Sequence, residues 1–252
     1  MKPPFSLKDE TALITGGGTG LGFGIASCFV QAGARVVLVG RRAEVLQKAA
    51  RTFGKAALIE PHDITRLEES EDLVQRAARR AGPITILVNN AGIHIKKPVL
   101  ETTDADFYAI LQTHVLAAFS LTRALLPGMI KRKHGNVLFT ASMASLFGIP
   151  SVVAYSAAKT AYLGMVRTLA TEVSRHGVRV NALAPGWIDS SMMSTALNGD
   201  PERRRKILSR TPMNCFGRPE DVGWAATFLC SPAARFITGA VLPVDGGASV
   251  GF

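Results

Sequence analysis

Seven short runs of apolar, largely β-branched residues recur along the chain, with stretches of helical spacing between them. The runs are Ala12–Thr15, Arg35–Val39, Ala56–Ile59, Ile84–Asn89, Asn136–Ala141, Val178–Leu183 and Ala240–Val244. Most lack polar alternation, the mark of parallel strands covered on both faces. Strand–helix alternation from end to end predicts one doubly wound α/β domain over residues 1–252, its parallel sheet flanked by helices. Local signals agree with it. Leu21, Ile25, Cys28 and Phe29 share a helical face, and Gly33 follows as a stop. Thr65 and Glu68 have capping-box spacing ahead of a helix through Leu73 and Ala77. Pro219, Glu220 and Asp221 suit the start of a late helix.

A chain that is 47% apolar and 19% charged can bury a sizeable core, which excludes a disordered or fibrous protein. No run of eighteen uncharged apolar residues offers a membrane-spanning helix. A prolyl pair and charges stand near the N-terminus, where an export signal would need an apolar stretch. The expected setting is cytoplasmic, with Cys28, Cys215 and Cys230 as reduced core thiols. The formal charge of +10 favours anionic partners such as phosphates and carboxylates. Without zinc-ligand spacing or an aromatic-rich basic module, neither a metal nor a nucleic acid is expected.

One stretch breaks the rhythm. Residues 189–213 follow a strand with no strand of their own, and carry Met192, Met193, Met213 and the run Arg203–Lys206. Insertions of this length are lids or disorder, and a helical flap over the substrate is the expectation.

The first strand runs into Thr15-Gly16-Gly17-Gly18-Thr19-Gly20-Leu21-Gly22, and a helix follows. Glycines here let the backbone turn and approach a pyrophosphate, which the helix N-terminus stabilises with free N–H groups. At the end of the second strand an NAD site would present a carboxylate to the ribose 2′-hydroxyl. Here the chain reads Gly40-Arg41-Arg42, two cations where a helix begins. A 2′-phosphate accounts for that placement, because guanidinium pairs with phosphate through two parallel hydrogen bonds. The alternative is a pair of surface arginines and an NAD site.

Taken with Asn89-Asn90-Ala91-Gly92, Tyr155-Ser156-Ala157-Ala158-Lys159 and Asn181-Ala182-Leu183-Ala184-Pro185-Gly186, this opening resembles the classical short-chain dehydrogenase/reductase family over essentially the whole chain. The resemblance implies a seven-stranded Rossmann-like sheet, a nicotinamide cofactor at the strand C-termini, and a homotetramer. It assigns Tyr155 as catalytic acid/base, Lys159 as the residue that holds the nicotinamide ribose and depresses the phenol pKa, and Ser142 as the group that polarises the carbonyl. Tyr155 and Lys159 are four apart, which puts them on one helical face. Service near pH 7.5 by a phenol that titrates near 10 needs about 3.4 kcal/mol of selective phenolate stabilisation.

The family's catalytic asparagine is replaced by His114. An imidazole that both donates and accepts can keep a proton relay; equally, His114 can fill space while backbone holds the water. By family position, cofactor contacts comprise Gly16, Gly18, Thr19, Gly20, Leu21, Gly22, Gly40, Arg41, Arg42, Asp63 (towards adenine), Asn90, Ala91, Gly92, Tyr155, Lys159, Pro185, Gly186, Ile188 and Ser190. The substrate pocket would draw on His94, Ser142, Met143, Ala144, Tyr155 and Trp187, with His94 either receiving a carboxylate or lying in a surface loop. Ala141–Ser145 and Thr211–Met213 resemble bacterial sugar-acid and polyol dehydrogenases, including gluconate 5-dehydrogenases. The expected activity is NADP(H)-dependent interconversion of a secondary hydroxyl and a ketone, with NAD(H) possible. The alternatives are a 3-oxoacyl-thioester reductase and a non-catalytic NADP(H)-binding sensor.

Overall fold

The computed structural model describes residues 3–189 and 200–251. All seven expected runs form strands: β1 (Thr11–Thr15), β2 (Arg35–Gly40), β3 (Ala57–Pro61), β4 (Ile86–Asn89), β5 (Gly135–Thr140), β6 (Val178–Pro185) and β7 (Val241–Val244). They make one parallel sheet in the order β3-β2-β1-β4-β5-β6-β7. Helices α1 (Gly20–Gln31), α2 (Ala43–Phe53) and α8 (Pro219–Cys230) cover one face, where Ile25, Phe29, Leu46 and Val222 meet Ile14, Leu38 and Val88. Helices α3 (Ser70–Ala81), α5 (Ala117–Arg132) and α6 (Val153–Val173) cover the other, where Leu73, Leu121 and Tyr162 meet Leu13, Leu87 and Phe139.

Helix α4 (Asp104–Leu111) runs into α5 through a π-turn at Gln112–Leu116. Together they make a continuous 29-residue helix, long and apolar enough by length and composition to cross a membrane. Its apolar length has another use. Its own Leu121, Leu125 and Met129 are buried in the core.

Two local expectations need correction, and a third reaches beyond the described residues. The Thr65–Glu68 capping box does not form: α3 starts only at Ser70, after a 3₁₀ turn at Leu67–Glu69. Thr65 turns back instead, its amide and hydroxyl both donating to Asp63 Oδ1, at 3.0 and 2.8 Å. The nearer acceptor wins. Cys215 is exposed, whereas Cys28 and Cys230 are buried free thiols. Residues 189–213 hold a helix, α7 (Pro201–Ser209), but Ser190, Met192 and Met193 lie outside the described residues.

Candidate active site

Strand order reverses between β1 and β4, so the loops leaving their C-terminal ends part and open a crevice. A cleft of about 210 Å³ lies there, walled by the glycine loop, Gly40–Arg42, His62–Thr65, Ala91–Ile93 and Thr113. Gly16 has φ of +66°, and a Cβ on it would stand 3.0 Å from Asn90 Nδ2. Thr19, at the N-cap of α1, offers no side-chain cap. The start of α1 therefore lies beside the crevice without a side-chain acceptor, as an anion-binding turn requires.

The crevice floor is pinned by one hydroxyl. Thr15 Oγ1 accepts from the amides of Asn90 (2.9 Å) and Ala91 (3.0 Å), while Asn90 Nδ2 donates to the Thr15 carbonyl at 2.9 Å. At the β2 tip, Arg41 and Arg42 are exposed on the cleft rim. Asp63 lines the same cleft with one carboxylate oxygen engaged by Thr65. Burial opposes its charge, but the Thr65 amide and hydroxyl hold the carboxyl below its ordinary range.

Across the crevice, α6 presents Tyr155 half-buried and Lys159 buried. Lys159 Nζ donates to the Thr140 carbonyl at 2.6 Å and lies 5.6 Å from the Tyr155 ring centre. Ser142 caps the short turn Met143–Ser145, its Oγ accepting from the Ala144 amide at 3.1 Å. Met143 and Ala144 are packed into the core behind it. Burial lifts the Tyr155 phenol above its ordinary value, and the Ser142 hydroxyl opposes this in part. The depression expected from Lys159 is therefore absent in the chain by itself. Burial explains that too: it brings the ammonium down to about 7, so the lysine's own charge is disfavoured.

His114 sits in the π-turn, 1% exposed. Its Nε2 lies 2.8 Å from the Ile93 carbonyl and 3.1 Å from the Ile93 amide, so it donates to the first in one tautomer and accepts from the second in the other, with Nδ1 taking the opposite role. Nδ1 is buried with no partner among the described residues. The ring stands edge-on to Tyr155 at 5.6 Å, and the exposed His94 packs on Tyr155 at 4.9 Å. A Cβ on Gly92 would strike His114 Cε1, so glycine there makes room for the imidazole. Burial, then the Lys159 charge, push His114 down to about 3.

At the β6 end, Gly186 is held by its amide to the Val244 carbonyl at 3.0 Å, and Ile188 bridges to Gly217. Trp187 between them is half-buried. Sequence reasoning missed His62, which walls the cleft beside Asp63, and Thr113 at its far side. A motif search has no signal for either, because each reaches the cleft through strand register or a helix irregularity.

A family model described as enoyl-(acyl carrier protein) reductase matches residues 16–249. The 2-(S)-hydroxypropyl-CoM dehydrogenase 3 of Xanthobacter autotrophicus is 38% identical, over 96% of this chain and 97% of that one. Gluconate 5-dehydrogenase of Gluconobacter oxydans is 37% identical, over 98% and 97%. Among solved structures, a gluconate 5-dehydrogenase from Burkholderia cenocepacia in complex with NADP and tartrate matches with a TM-score of 0.94. It is 31% identical, and the match covers 99% of this chain and 98% of that one.

Proposed function

This chain belongs to the short-chain dehydrogenase/reductase family and acts on CH–OH groups; from that premise we propose an NADP(H)-dependent interconversion of a secondary hydroxyl and a ketone on a sugar acid or polyol. The observation that carries the reaction type is the grouping of Ser142, half-buried Tyr155 and buried Lys159 beside the crevice.

A nicotinamide dinucleotide fits the residues present. Gly16, at positive φ and with no space for a Cβ against Asn90 and Ala91, lets the loop turn tightly at the crevice, and the start of α1 has no side-chain cap. When bound, such a cofactor would supply or take up the hydride. Gly16, Gly18, Thr19, Gly20, Leu21 and Gly22 would cradle its phosphates, with Asn90, Ala91 and Gly92 as the floor. Arg41 and Arg42 would pair with a 2′-phosphate.

In reduction, Tyr155 donates its phenolic proton to the carbonyl oxygen, and the Ser142 hydroxyl donates a hydrogen bond to the same oxygen. In oxidation the phenolate removes the hydroxyl proton. Lys159 stabilises that phenolate once charge balance permits its ammonium. His114, edge-on to Tyr155 with its Nδ1 unshared among the described residues, is the group placed to pass a proton on through water. His94, packed on the catalytic phenol, is placed to meet an anionic group on the substrate.

Support for the sugar-acid substrate comes from the gluconate 5-dehydrogenases among the relatives and from the net charge of +10. A 31% identical relative, the 3-oxoacyl-(acyl-carrier-protein) reductase of Thermotoga maritima, favours a second reading, reduction of a 3-oxoacyl thioester. Initial rates with NADP⁺ and NAD⁺ over sugar acids, polyols and secondary alcohols, with acetoacetyl thioesters in reverse, separate the two. The expected result is turnover of a sugar acid with preference for NADP⁺, lost in Tyr155→Phe. Turnover confined to thioesters would move the enzyme to acyl reduction. Tight cofactor binding without any turnover would make it a sensor. We extend the proposal to a homotetramer, whose contacts use the exposed apolar side chains of the π-turn, α5 and α6, Leu116, Phe119 and Val153 among them.

A further inference from the structure

His62 occupies an unusual place. Strands β2 and β3 pair in parallel with Gly40 opposite Pro61, so the next step outward sets Arg41 beside His62. The His62 amide donates to the Gly40 carbonyl at 2.8 Å, which ties the histidine to the residue before the arginine pair. His62 lines the same cleft as Gly40, Arg41, Arg42 and Asp63, with its ring almost wholly buried behind that wall. The residue is only 8% exposed, and its Nε2 is buried without a partner among the described residues. Its Nδ1 lies 3.6 Å from Glu69 Oε2.

A buried imidazole nitrogen without a partner calls for one. From these placements we infer that His62 is a third, proton-dependent contact for the cofactor's 2′-phosphate, working with Arg41 and Arg42. This rests on the NADP(H) reading above. The arginines carry permanent charge; the histidine gains its charge only when a dianion arrives beside it. Burial keeps His62 below its ordinary value, against the pull of Glu69. Arg76 and Arg66 also disfavour its cation, and Asp63 favours it. Arg76 is itself engaged by Glu60, so its field at the ring is partly cancelled. With the ring neutral in the free chain and charged in the complex, binding takes up a proton.

Two measurements test this on the full chain. In the first, equilibrium binding of NADPH and NADH is followed by nicotinamide fluorescence at about pH 6 and about pH 8, where histidine titrates. The wild type should prefer NADPH at both, with the preference at least threefold stronger at the lower pH. In His62→Gln the preference should persist through the arginines but lose that pH-dependent gain. In the second, histidine ring resonances are recorded with 2′-AMP and with 5′-AMP. His62 should become charged with 2′-AMP alone, a readout that needs no variant. Equal affinity for NADPH and NADH in the wild type would overturn the 2′-phosphate reading and this inference with it. An NADPH preference with the same pH dependence in wild type and His62→Gln, or a His62 ring that stays neutral with 2′-AMP, would overturn the role of His62 and leave the arginine reading standing.

Discussion

At His114 burial and a neighbouring charge pull the same way. Its folded value of about 3 lies well below the ordinary histidine value of about 6.5. As pH falls, the unfolded chain takes up this proton first. The stability His114 contributes is complete above about pH 6.5 and is lost as pH falls toward its folded value. Over the two units from about pH 6.5 to 4.5 that amounts to about 2–3 kcal/mol. Urea unfolding of wild type and His114→Asn at the two ends should show a steeper loss in the wild type by about that amount. Turnover gives a second readout: equal rates for His114→Ala and wild type would show that the imidazole relays nothing. Gly92 belongs to the same contact. Gly92→Ala forces a methyl onto Cε1 of His114 and should cost about 1–3 kcal/mol, the usual range for overpacking. Adding His114→Ala should restore most of that loss in the same unfolding experiment, because the clash goes with the ring.

Helix identity was legible wherever periodicity was long, and illegible where two acceptors competed over a few residues. At Thr65 the spacing to Glu68 suggested a cap, but Asp63 two residues upstream offers a closer acceptor, and α3 starts one turn late. At α8 the reading holds: Pro219 is the first residue, and Asp221 accepts from the Arg218 amide at 2.6 Å. Between α1 and α8 the packing is close enough to reverse a propensity argument. Alanine normally stabilises a helix interior by about 1 kcal/mol over glycine. At Gly223, however, a Cβ would stand 2.6 Å from Cys28 Sγ and 2.7 Å from the Gly24 carbonyl oxygen. Gly223→Ala should therefore lower stability, by about 1–3 kcal/mol. A rise in the urea midpoint would show that the two helices can part at little cost.

At the scale of the whole molecule, the sheet places every proposed catalytic and cofactor group within the described residues at one edge, because parallel strands share a direction. The opposite prediction concerns surfaces. Phe119 is 44% exposed and lies under the Arg123 guanidinium at 5.5 Å, an apolar ring with little to cover it in a single chain. If α5 lies in the proposed tetramer, Phe119→Glu should yield a smaller species by sedimentation, with helix content unchanged by circular dichroism. A wild-type chain that sediments as a monomer would remove the tetramer from the proposal.

The sequence by itself determined the seven strands, the doubly wound class and the glycine loop, because strand period and glycine position are local properties. It also marked Ser142, Tyr155, Lys159, Arg41 and Arg42, whose types and spacings are visible without a fold. Only the tertiary structure decided what surrounds them. The imidazoles of His94 and His114 flank Tyr155, although they come from a loop and a π-turn far from it in the chain. His62 comes beside Arg41 through strand register alone. The raised phenol of Tyr155 and the lowered ammonium of Lys159 likewise arise from burial. Burial is set by the packing of every layer at once, and no stretch of residues carries it alone.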